Sequence, residues 1–542
     1  MTTLAIAPLE ADDDAFFRAN ALTLSGNITG SGGLTKSGAG NLILSGNNSY
    51  QGGTNLTTGT LVVGSNTALG AATSILNAAA GTTLDTNTAG LSVSNAISVA
   101  GGGADNSQAA LWASVSTGTL TEQMATIRQL LGLVTQSIAA DTAAAQAAEP
   151  ITLGLSYPRT GSYKEEGLAQ MRGALLAIDE LNAKGGVLGR PLRLSSLDDA
   201  SRPEKAARNV DKLAGEGAAM LFGGASSAAA IAAGKRAREH GLLYFGTLTY
   251  SNDTTGKDGH RYLFRECNSA WMSARVLGQY LAKQLPDKRY FYVTADYTWG
   301  NTTESSLRET TGTQDGARNP GLKVPFPGAR MADYQNALTQ AAQSDAEVLV
   351  LVLFGEDLVR AMRVAEKLGL TRKVQIVAPN LTQGIVEQAG PGLMEGVVGT
   401  EPWTWRVPEL EGSQAGQAFV GHFTERYEVY PSSAAASAYS IVRQWAEAAG
   451  RAKSLDSEAL IKALEGHRYS LLKGPQEWRA FDHQNVQTVY AVRVRSRAEV
   501  MASPRHQDYF EIVHRLDGDK AAPSLAEWQA ERRAAGQPTT LQ

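Results

Sequence analysis

Residue types that could perform catalysis occur in this 542-residue chain, but their spacing matches no catalytic pattern. There is no H-E-x-x-H, no G-x-S-x-G and no G-x-x-x-x-G-K-[ST] motif. The single cysteine, Cys267, is interpreted as an ordinary thiol and excludes an intramolecular disulfide framework. The histidines show no metal-ligand spacing: His240, His260, His422, His467, His483, His506 and His514. The sequence therefore predicts a protein that is not an enzyme, with no cofactor and no metal site.

Two small hydroxyl residues, Ser226 and Ser227, occupy a position that suits binding instead of catalysis. They follow the predicted strand Ala218–Phe222 and its Gly223-Gly224 end, and they begin a predicted helix. Free backbone N–H groups at a helix start, together with a hydroxyl, bind anions such as a carboxylate. The same hydroxyls also suit a plain N-cap, so both interpretations stay open.

The elements that must position such residues alternate between strand and helix from Ile151 onward. Each predicted strand precedes a helix-like segment, and the strands fall at Leu192–Leu197, Ala218–Phe222, Leu242–Phe245, Arg289–Thr294, Val348–Phe354 and Val374–Val377. Repeated βα units predict an α/β fold of parallel sheets with helices on both faces. Ligands on such sheets bind beyond the carboxyl ends of the strands.

The first part of the chain has a different composition and an internal repeat. Up to Glu149 there are 3 Lys/Arg and 9 Asp/Glu, whereas residues 150–542 hold 46 basic and 44 acidic residues. LTLSGN at 22–27 recurs as LILSGN at 42–47 and more loosely as LVVGSN at 61–66. Aliphatic alternation with Gly-Asn turns at this period predicts a short β-solenoid, with a flexible Gly/Ser/Thr-rich tether as the alternative.

These patterns divide the chain into several segments. Helical spacing of apolar residues over Leu120–Ile138 predicts a helix before an Ala-rich linker. The segments are an acidic one over 1–20, the strand repeat over 21–104, a helix and linker over 105–149, the α/β region over 150–515 and a C-terminal tail over 516–542.

Bulk properties exclude several classes of protein. The hydrophobic content of 43% excludes global disorder, and the net charge of −4 argues against a nucleic-acid partner. The longest notable aliphatic run, Val348–Phe354, is far shorter than the ~20 residues of a membrane span. The N-terminus is acidic where a secretory signal is basic, so no signal peptide is visible.

Two segments of the chain also resemble known protein families. The stretch at 32–64 closely resembles the autotransporter-associated β-strand repeat of bacterial surface passenger domains. GALLAIDELNAKGGVLGRPLRL, LDDASRPEKAARNVDKLAGEG, MLFGGASS and VTADYTWGNTTESSL follow one another as in type 1 periplasmic solute-binding proteins of the leucine/isoleucine/valine-binding family. This second resemblance covers about 150–515 and implies two α/β lobes joined by three crossovers. Lobe 1 would hold about 150–270 and 400–475, and lobe 2 about 275–398 and 480–515.

The resemblance also implies a set of ligand-binding residues at the strand ends. Ser226 or Ser227 would hold a ligand carboxylate, and aromatic residues would form an apolar slot. The implied set is Tyr157, Tyr163, Ser226, Ser227, Thr249, Tyr250, Asp296, Tyr297, Trp299, Phe354, Asn380 and Trp403. Packing between the lobes is the alternative for Trp403 and Trp405, as core or surface packing is for Tyr157 and Tyr163.

Asn380 departs from the family pattern. Amino-acid-binding members place an acidic residue there, which pairs with the ligand's ammonium group, and a neutral amide cannot supply that charge. Either Asp296 substitutes, or the ligand is a carboxylate, an amide or a urea-like molecule without an ammonium group.

The function implied by the resemblance is a receptor that closes on a small organic solute and delivers it to an ABC permease, as in amino acid transport. A periplasmic or extracellular location is expected from the family. Two alternatives are a ligand sensor of the same fold that acts on a regulatory partner, and a surface passenger or adhesin that functions through the N-terminal repeat.

Overall fold

The structure, a computed structural model, describes residues 9–10, 15–18, 21–38, 40–79, 82–85, 91, 93–99, 111–112 and 149–542. Two compact units are present, Met1–Gln146 and Ala147–Gln542. The predicted helix over Leu120–Ile138 and most of the linker after it lie outside the described residues.

The first unit stacks parallel strands whose positions recur about twenty residues apart. One sheet contains Ala21–Leu24, Asn41–Leu44, Thr60–Val63, Thr83–Asp85 and Leu111–Trp112. A second contains Ala15–Arg18, Leu34–Ser37, Thr54–Leu56, Ile75–Ala78 and Ala96–Val99, and a short pair joins Leu9–Glu10 to Ile28–Thr29.

The register of these strands explains the sequence repeat. Leu22 pairs with Leu42, Leu42 with Leu61 and Leu61 with Leu84, so equivalent leucines stack in one core. Asn48 joins successive turns, because its Oδ1 accepts from Ile28 N at 2.9 Å and its Nδ2 donates to the Ala68 carbonyl at 2.7 Å. The predicted strand repeat is therefore confirmed as a parallel stack.

The second unit contains two main sheets, and with their packed helices we call them lobe 1 and lobe 2. Lobe 1 has a parallel sheet in the order Leu192–Asp198, Ile151–Tyr157, Ala218–Gly223, Tyr244–Gly246 and Leu263–Arg265. Its helices are Lys164–Asn182, Pro203–Gly215, Ser227–Glu239 and the short Asn252–Thr254, followed later in the chain by Val407–Leu410, Gln414–Tyr427, Ser433–Ala452 and Ser457–Leu464.

Lobe 2 has a seven-stranded sheet. The strand order is Gly321–Pro325, Tyr290–Asp296, Val348–Val352, Gln375–Ala378, Val398–Glu401, Val489–Val494 and Phe510–Leu516, with the last two joined antiparallel. Its helices are Ala270–Gln284, Thr298–Thr311, Met331–Gln343, Glu356–Lys367, Leu370–Lys373, Gln383–Ala389, Pro391–Met394, Arg497–Ala502 and Pro504–His506. A small antiparallel sheet joins Arg468–Tyr469, Gln476–Trp478 and Asn485–Val486. The predicted α/β architecture with parallel sheets is confirmed.

The segment after lobe 2, predicted from the sequence as a tail, is folded and packed. It forms helices Gly518–Ala521 and Leu525–Ala534. The Trp528 Nε1 donates to the Thr255 carbonyl at 2.7 Å, and Arg532 donates to the Gly259 carbonyl at 3.0 Å. Because Thr255 and Gly259 belong to lobe 1, this segment connects lobe 2 back to lobe 1.

Removing the Trp528 side chain tests this packing. Trp528 is 2% exposed, and Trp528→Ala is expected to lower the free energy of unfolding by about 3–5 kcal/mol, the usual cost of emptying a buried aromatic site. Urea denaturation of the full chain measures the change. Leu525→Ala is the control, since Leu525 is 45% exposed on the same helix and should change stability by less than about 0.5 kcal/mol. Equal effects of the two substitutions would contradict the packing.

Candidate functional site

The residues predicted to bind ligand follow the carboxyl ends of strands in both lobes. In lobe 1, Tyr163 follows Ile151–Tyr157, Ser226 follows Ala218–Gly223 and Tyr250 follows Tyr244–Gly246. In lobe 2 the corresponding positions are Tyr297 and Trp299, Phe354, Asn380 and Trp403. Parallel strands end at one edge of a sheet, so each lobe presents these side chains along a single edge.

Six aromatic rings from the two lobes meet in one group, which we call the cleft cluster. Phe354 is at its centre, with ring centroids 5.2 Å from Tyr163, 6.0 Å from Trp299 and 6.1 Å from Tyr250. Tyr297 stacks on Phe326 at 4.0 Å. The members are Tyr163, Tyr250, Tyr297, Trp299, Phe326 and Phe354.

The two lobes touch directly beside this cluster. The Glu356 amide donates to the Ser162 carbonyl at 3.2 Å across the gap. Gly355 has φ +57°, and a Cβ there would lie 2.6 Å from the Tyr163 ring and 2.7 Å from the Ser162 carbonyl oxygen. Only glycine allows the backbones to come this close. The structure therefore shows the lobes in a closed arrangement.

The lobe 1 helix that begins at Ser227 offers an anion site beside the cluster. Ser226 is the N-cap residue, but its side chain makes no capping hydrogen bond, and its buried Oγ has no partner within 149–542. The first turn contains no acidic residue. Ser227 Oγ already accepts from the Ser251 amide at 3.0 Å. The Ser226 hydroxyl is therefore unengaged, and the Ser227 hydroxyl keeps its own O–H to donate.

Several other buried polar atoms near the cluster lack partners. Asn380 is fully buried, and neither its Oδ1 nor its Nδ2 has a hydrogen-bond partner within 149–542. The same holds for the Tyr250 hydroxyl and the Trp299 Nε1. Burial raises the pKa of the Tyr250 hydroxyl well above its usual value, so this group stays a neutral donor. Buried groups of this kind are normally satisfied, so a bound molecule would complete them.

Four predicted residues lie apart from the cleft cluster. Tyr157 is the last residue of its strand and its hydroxyl contacts Met171 Sδ at 3.5 Å. Thr249 Oγ1 is bonded to Thr254 Oγ1 at 2.7 Å. Trp403 donates from Nε1 to the Leu472 carbonyl at 3.1 Å, which agrees with packing between elements.

Asp296 is the fourth predicted residue that lies apart from the cleft cluster. The sequence suggested it as a partner for a ligand's ammonium group. It is the last residue of strand Tyr290–Asp296, where its side chain is 53% exposed and lies 3.4 Å from Lys323. Side chains alternate across a strand, and this register turns Asp296 to solvent. The geometry therefore does not support Asp296 as a buried partner for a ligand's ammonium group.

Sequence reasoning missed three residues at the site. Phe326 follows the strand Gly321–Pro325, which the sequence pattern did not reveal. Glu166 and Glu401 are buried carboxyl groups, 4% and 1% exposed. Glu166 could have been found from helical spacing, because Glu166, Gln170 and Ala174 lie on one buried face of helix Lys164–Asn182.

Glu166 lies where the two lobes meet. Its Oε1 accepts a hydrogen bond from Thr382 Oγ1 of lobe 2 at 2.8 Å. Desolvation raises the pKa of Glu166 to about 7, against a smaller lowering by the Thr382 bond. Desolvation also raises the pKa of Glu401 well above its usual value, and the charge of Glu166 adds to this effect.

A separate cavity of about 660 Å³ is lined by residues of both lobes and of the C-terminal segment and contains none of the predicted site residues. It is lined by Arg265, Trp271, Thr298 and the C-terminal helix residue Glu531, among others. The Arg265 guanidinium there already donates to Gln484 Oε1 and Thr255 Oγ1. Trp271 and Trp528 line this cavity, and the Trp271 Nε1 lacks a partner, but the cavity contains none of the rings of the cleft cluster.

Within the described ranges, no group of three or more His, Cys, Asp and Glu side chains is placed to hold a metal ion. No helix in that part of the chain is long and apolar enough to cross a membrane. Burial raises the pKa of the Cys267 thiol to about 12, which disfavours the reactive thiolate.

Comparisons with known proteins agree with this geometry. The family described as periplasmic binding protein matches residues 150–499, and the passenger-associated-transport-repeat matches residues 34–63. A Pseudomonas aeruginosa leucine-, isoleucine-, valine-, threonine- and alanine-binding protein is 23% identical over 348 residues, which cover 64% of this chain and 88% of that protein.

Solved structures show the same fold. A periplasmic binding protein from Burkholderia mallei superposes with a TM-score of 0.63 at 23% identity, covering 70% of this chain and 98% of that one. An ABC transporter solute-binding protein from R. palustris in complex with benzoate superposes with a TM-score of 0.58 at 21% identity, covering 69% and 97%. The family match spans the lobe 1 sheet, all but the last strand of the lobe 2 sheet and the strand ends beside the cleft cluster, and the chain therefore belongs to the periplasmic binding protein family.

Proposed function

We propose that this chain is the solute-binding receptor of an ABC importer and that it closes its two lobes on a small organic solute bearing a carboxylate group. The cleft cluster carries this proposal, because rings from opposite lobes meet around Phe354. A solute placed there would be enclosed by both lobes. The proposal includes a periplasmic location and an ABC permease as partner, which follow from family membership.

The carboxylate end of the solute would be held in lobe 1. The N-terminus of helix Ser227–Glu239 supplies backbone N–H groups, and the unpartnered Ser226 hydroxyl supplies a further donor. The apolar body of the solute would lie against the cleft cluster, where aromatic rings offer large contact areas at low entropic cost. Relatives support this solute class, since one is named for binding leucine, isoleucine, valine, threonine and alanine and another is solved with benzoate.

Closure would be a hinge motion that the solute favours by binding both lobes. Ser251 Oγ already lies 2.8 Å from Thr298 Oγ1, and Thr382 donates a hydrogen bond to Glu166. Hydrogen bonds therefore already join the two lobes across the gap. A ligand shifts such an equilibrium only by its differential affinity for the closed state. The interlobe contacts and the solute would therefore act together to hold the closed form.

Ligand-dependent stabilisation tests the receptor function. Benzoate and isoleucine at millimolar concentration are expected to raise the melting temperature of the full chain in a thermal-shift assay, because ligand at about 100 times Kd adds about 2.7 kcal/mol. Phe354→Ala is expected to weaken binding by roughly tenfold to a hundredfold, since it removes the ring that three others contact.

The matched control is Phe423→Ala. Phe423 is also 2% exposed, but its ring partners are Phe419 and Tyr427, which are not members of the cleft cluster. This variant should lose stability and keep its affinity. Equal loss of affinity in both variants, or no stabilisation by any small carboxylate or amino acid, would count against the receptor function.

The burial of Glu166 by lobe closure predicts a pH dependence of stability. Because its pKa in the closed protein is about 7, above the usual 4.5, the wild type loses stability as the pH rises between these values. Glu166→Gln removes this loss. The variant is expected to exceed the wild type by up to about 3 kcal/mol at pH 8 and by much less at pH 5, measured by urea denaturation. A difference that does not change between pH 5 and pH 8 would show that Glu166 is not buried as the carboxyl group.

A further inference from the structure

The cavity of about 660 Å³ that is separate from the cleft is built from three parts of the chain. Lobe 1 contributes residues of the loop 252–257 together with Arg265, and lobe 2 contributes one face of helix Thr298–Thr311. The C-terminal helix Leu525–Ala534 forms the third side. A volume of this size lies within the range of small-molecule sites. The cavity can therefore hold a small ligand that touches both lobes and the C-terminal segment.

Carboxyl groups outnumber cations in the lining of this cavity. Lys257 and Arg265 are its two cations, and the Arg265 guanidinium already donates to the uncharged oxygens of Thr255 and Gln484. Three of the five carboxyl groups are held in ion pairs: Asp253 with Lys257, Asp482 with Arg479 and Glu527 with Arg275. The other two carboxyl groups leave an excess of negative charge.

These two carboxyl groups belong to Glu309 and Glu531. Within 149–542 neither side chain forms an ion pair or a hydrogen bond, and both are exposed, so a ligand can reach them. Glu531 lies against the lobe 1 loop, since a Cβ added at Gly256 would be 2.6 Å from its Oε1. Desolvation raises the pKa of Glu531 to about 6, and the charge of Asp253 adds to the rise. A cationic ligand would favour the ionised form of such a group.

The same lining offers hydrogen-bonding groups for hydroxyls. The Trp271 Nε1 is shielded from solvent and has no hydrogen-bond partner within 149–542. Buried polar groups are normally satisfied, and an indole N–H can only donate, so its missing partner is an acceptor such as a hydroxyl oxygen. Asn301, Ser305 and Glu309 follow one another four residues apart on helix Thr298–Thr311, so they form one polar row along the cavity.

We propose that this cavity is a second small-molecule site, outside the cleft, for an amine that carries hydroxyl groups, as an amino sugar does. The ammonium group would lie beside Glu309 and Glu531, and a hydroxyl oxygen would accept from Trp271 Nε1. The walls come from both lobes and from the C-terminal segment, which are the parts that must shift when the lobes separate. A ligand bound here would therefore influence closure without occupying the cleft, which adds a second ligand to the proposed receptor.

Isothermal titration calorimetry of the full chain with glucosamine and glucose at pH 7 tests the need for a positive charge. The two sugars differ only in the group at one carbon, which is an ammonium in glucosamine and a hydroxyl in glucose. Glucosamine is expected to bind about fivefold or more tightly, because hydrogen bonds to charged groups are stronger than neutral ones. The double variant Glu309→Gln, Glu531→Gln should reduce this preference to within about twofold. Both side chains are exposed, so the double variant should still fold.

Two further variants make the test specific. Glu425→Gln is the matched control, because Glu425 is an exposed carboxyl group of helix Gln414–Tyr427 that does not line the cavity, and the preference should persist in it. Trp271→Phe keeps an aromatic ring but removes the N–H donor. This variant should weaken the binding of both sugars by a similar factor, because the lost hydrogen bond does not involve the ammonium group.

Phe354→Ala distinguishes the cavity from the cleft, since Phe354 belongs to the cleft cluster and does not line the cavity. The affinity for glucosamine should be unchanged in this variant. A loss of affinity there, with no effect of the double variant, would place the sugar in the cleft and overturn the second site. Equal binding of both sugars, or no binding of either, would also overturn it. The receptor function would stand in each case, because benzoate and isoleucine test it separately.

Discussion

The contact of aromatic rings across the gap between the lobes is the interaction on which the rest of the cleft depends. Phe354 of lobe 2 meets Tyr163 and Tyr250 of lobe 1, and these rings leave water only when the lobes approach. The approach is permitted by Gly355, whose missing side chain lets the backbone pass beside Tyr163. Closure therefore gains apolar burial, and it brings the polar groups at the neighbouring strand ends into the same enclosed space.

Enclosing these polar groups costs free energy, because they lose their contact with water. Bringing the lobes together desolvates Glu166, raising its pKa, and leaves Asn380 without hydrogen-bond partners. Burial of polar groups without partners opposes closure, whereas burial of the rings favours it. A solute that supplies the missing partners would remove the opposing contribution. The balance of the two effects is what would make closure depend on ligand.

Much of the architecture could be predicted from the sequence, because buried parallel strands such as Val348–Val352 are continuous apolar runs. The resemblance to the solute-binding family then implied Tyr163, Tyr250 and Phe354 as site residues. The strand Gly321–Pro325 was not predicted because only Val324 in it is buried. Phe326, which follows this strand, was therefore not predicted as a site residue. Glu166 was not predicted because charged side chains usually lie at the surface, so its spacing on the buried face of helix Lys164–Asn182 was overlooked. Asp296 was misplaced because a strand end fixes a residue's position along the sheet but not the face to which its side chain turns.

The fold of the C-terminal segment was also not predicted from the sequence, and this segment restricts how the two lobes can separate. It follows the end of the family resemblance at about residue 515 and was expected to be a tail, yet the Ser524–Glu527 capping box and the buried Trp528 fix a helix on lobe 1. The strand before it, Phe510–Leu516, belongs to the lobe 2 sheet. Any separation of the lobes must therefore bend the short connection between Leu516 and Ser524 or detach the helix. Because detaching it would expose Trp528 and break the bond to Thr255, bending of the connection is the less costly route, and the segment acts as an additional crossover.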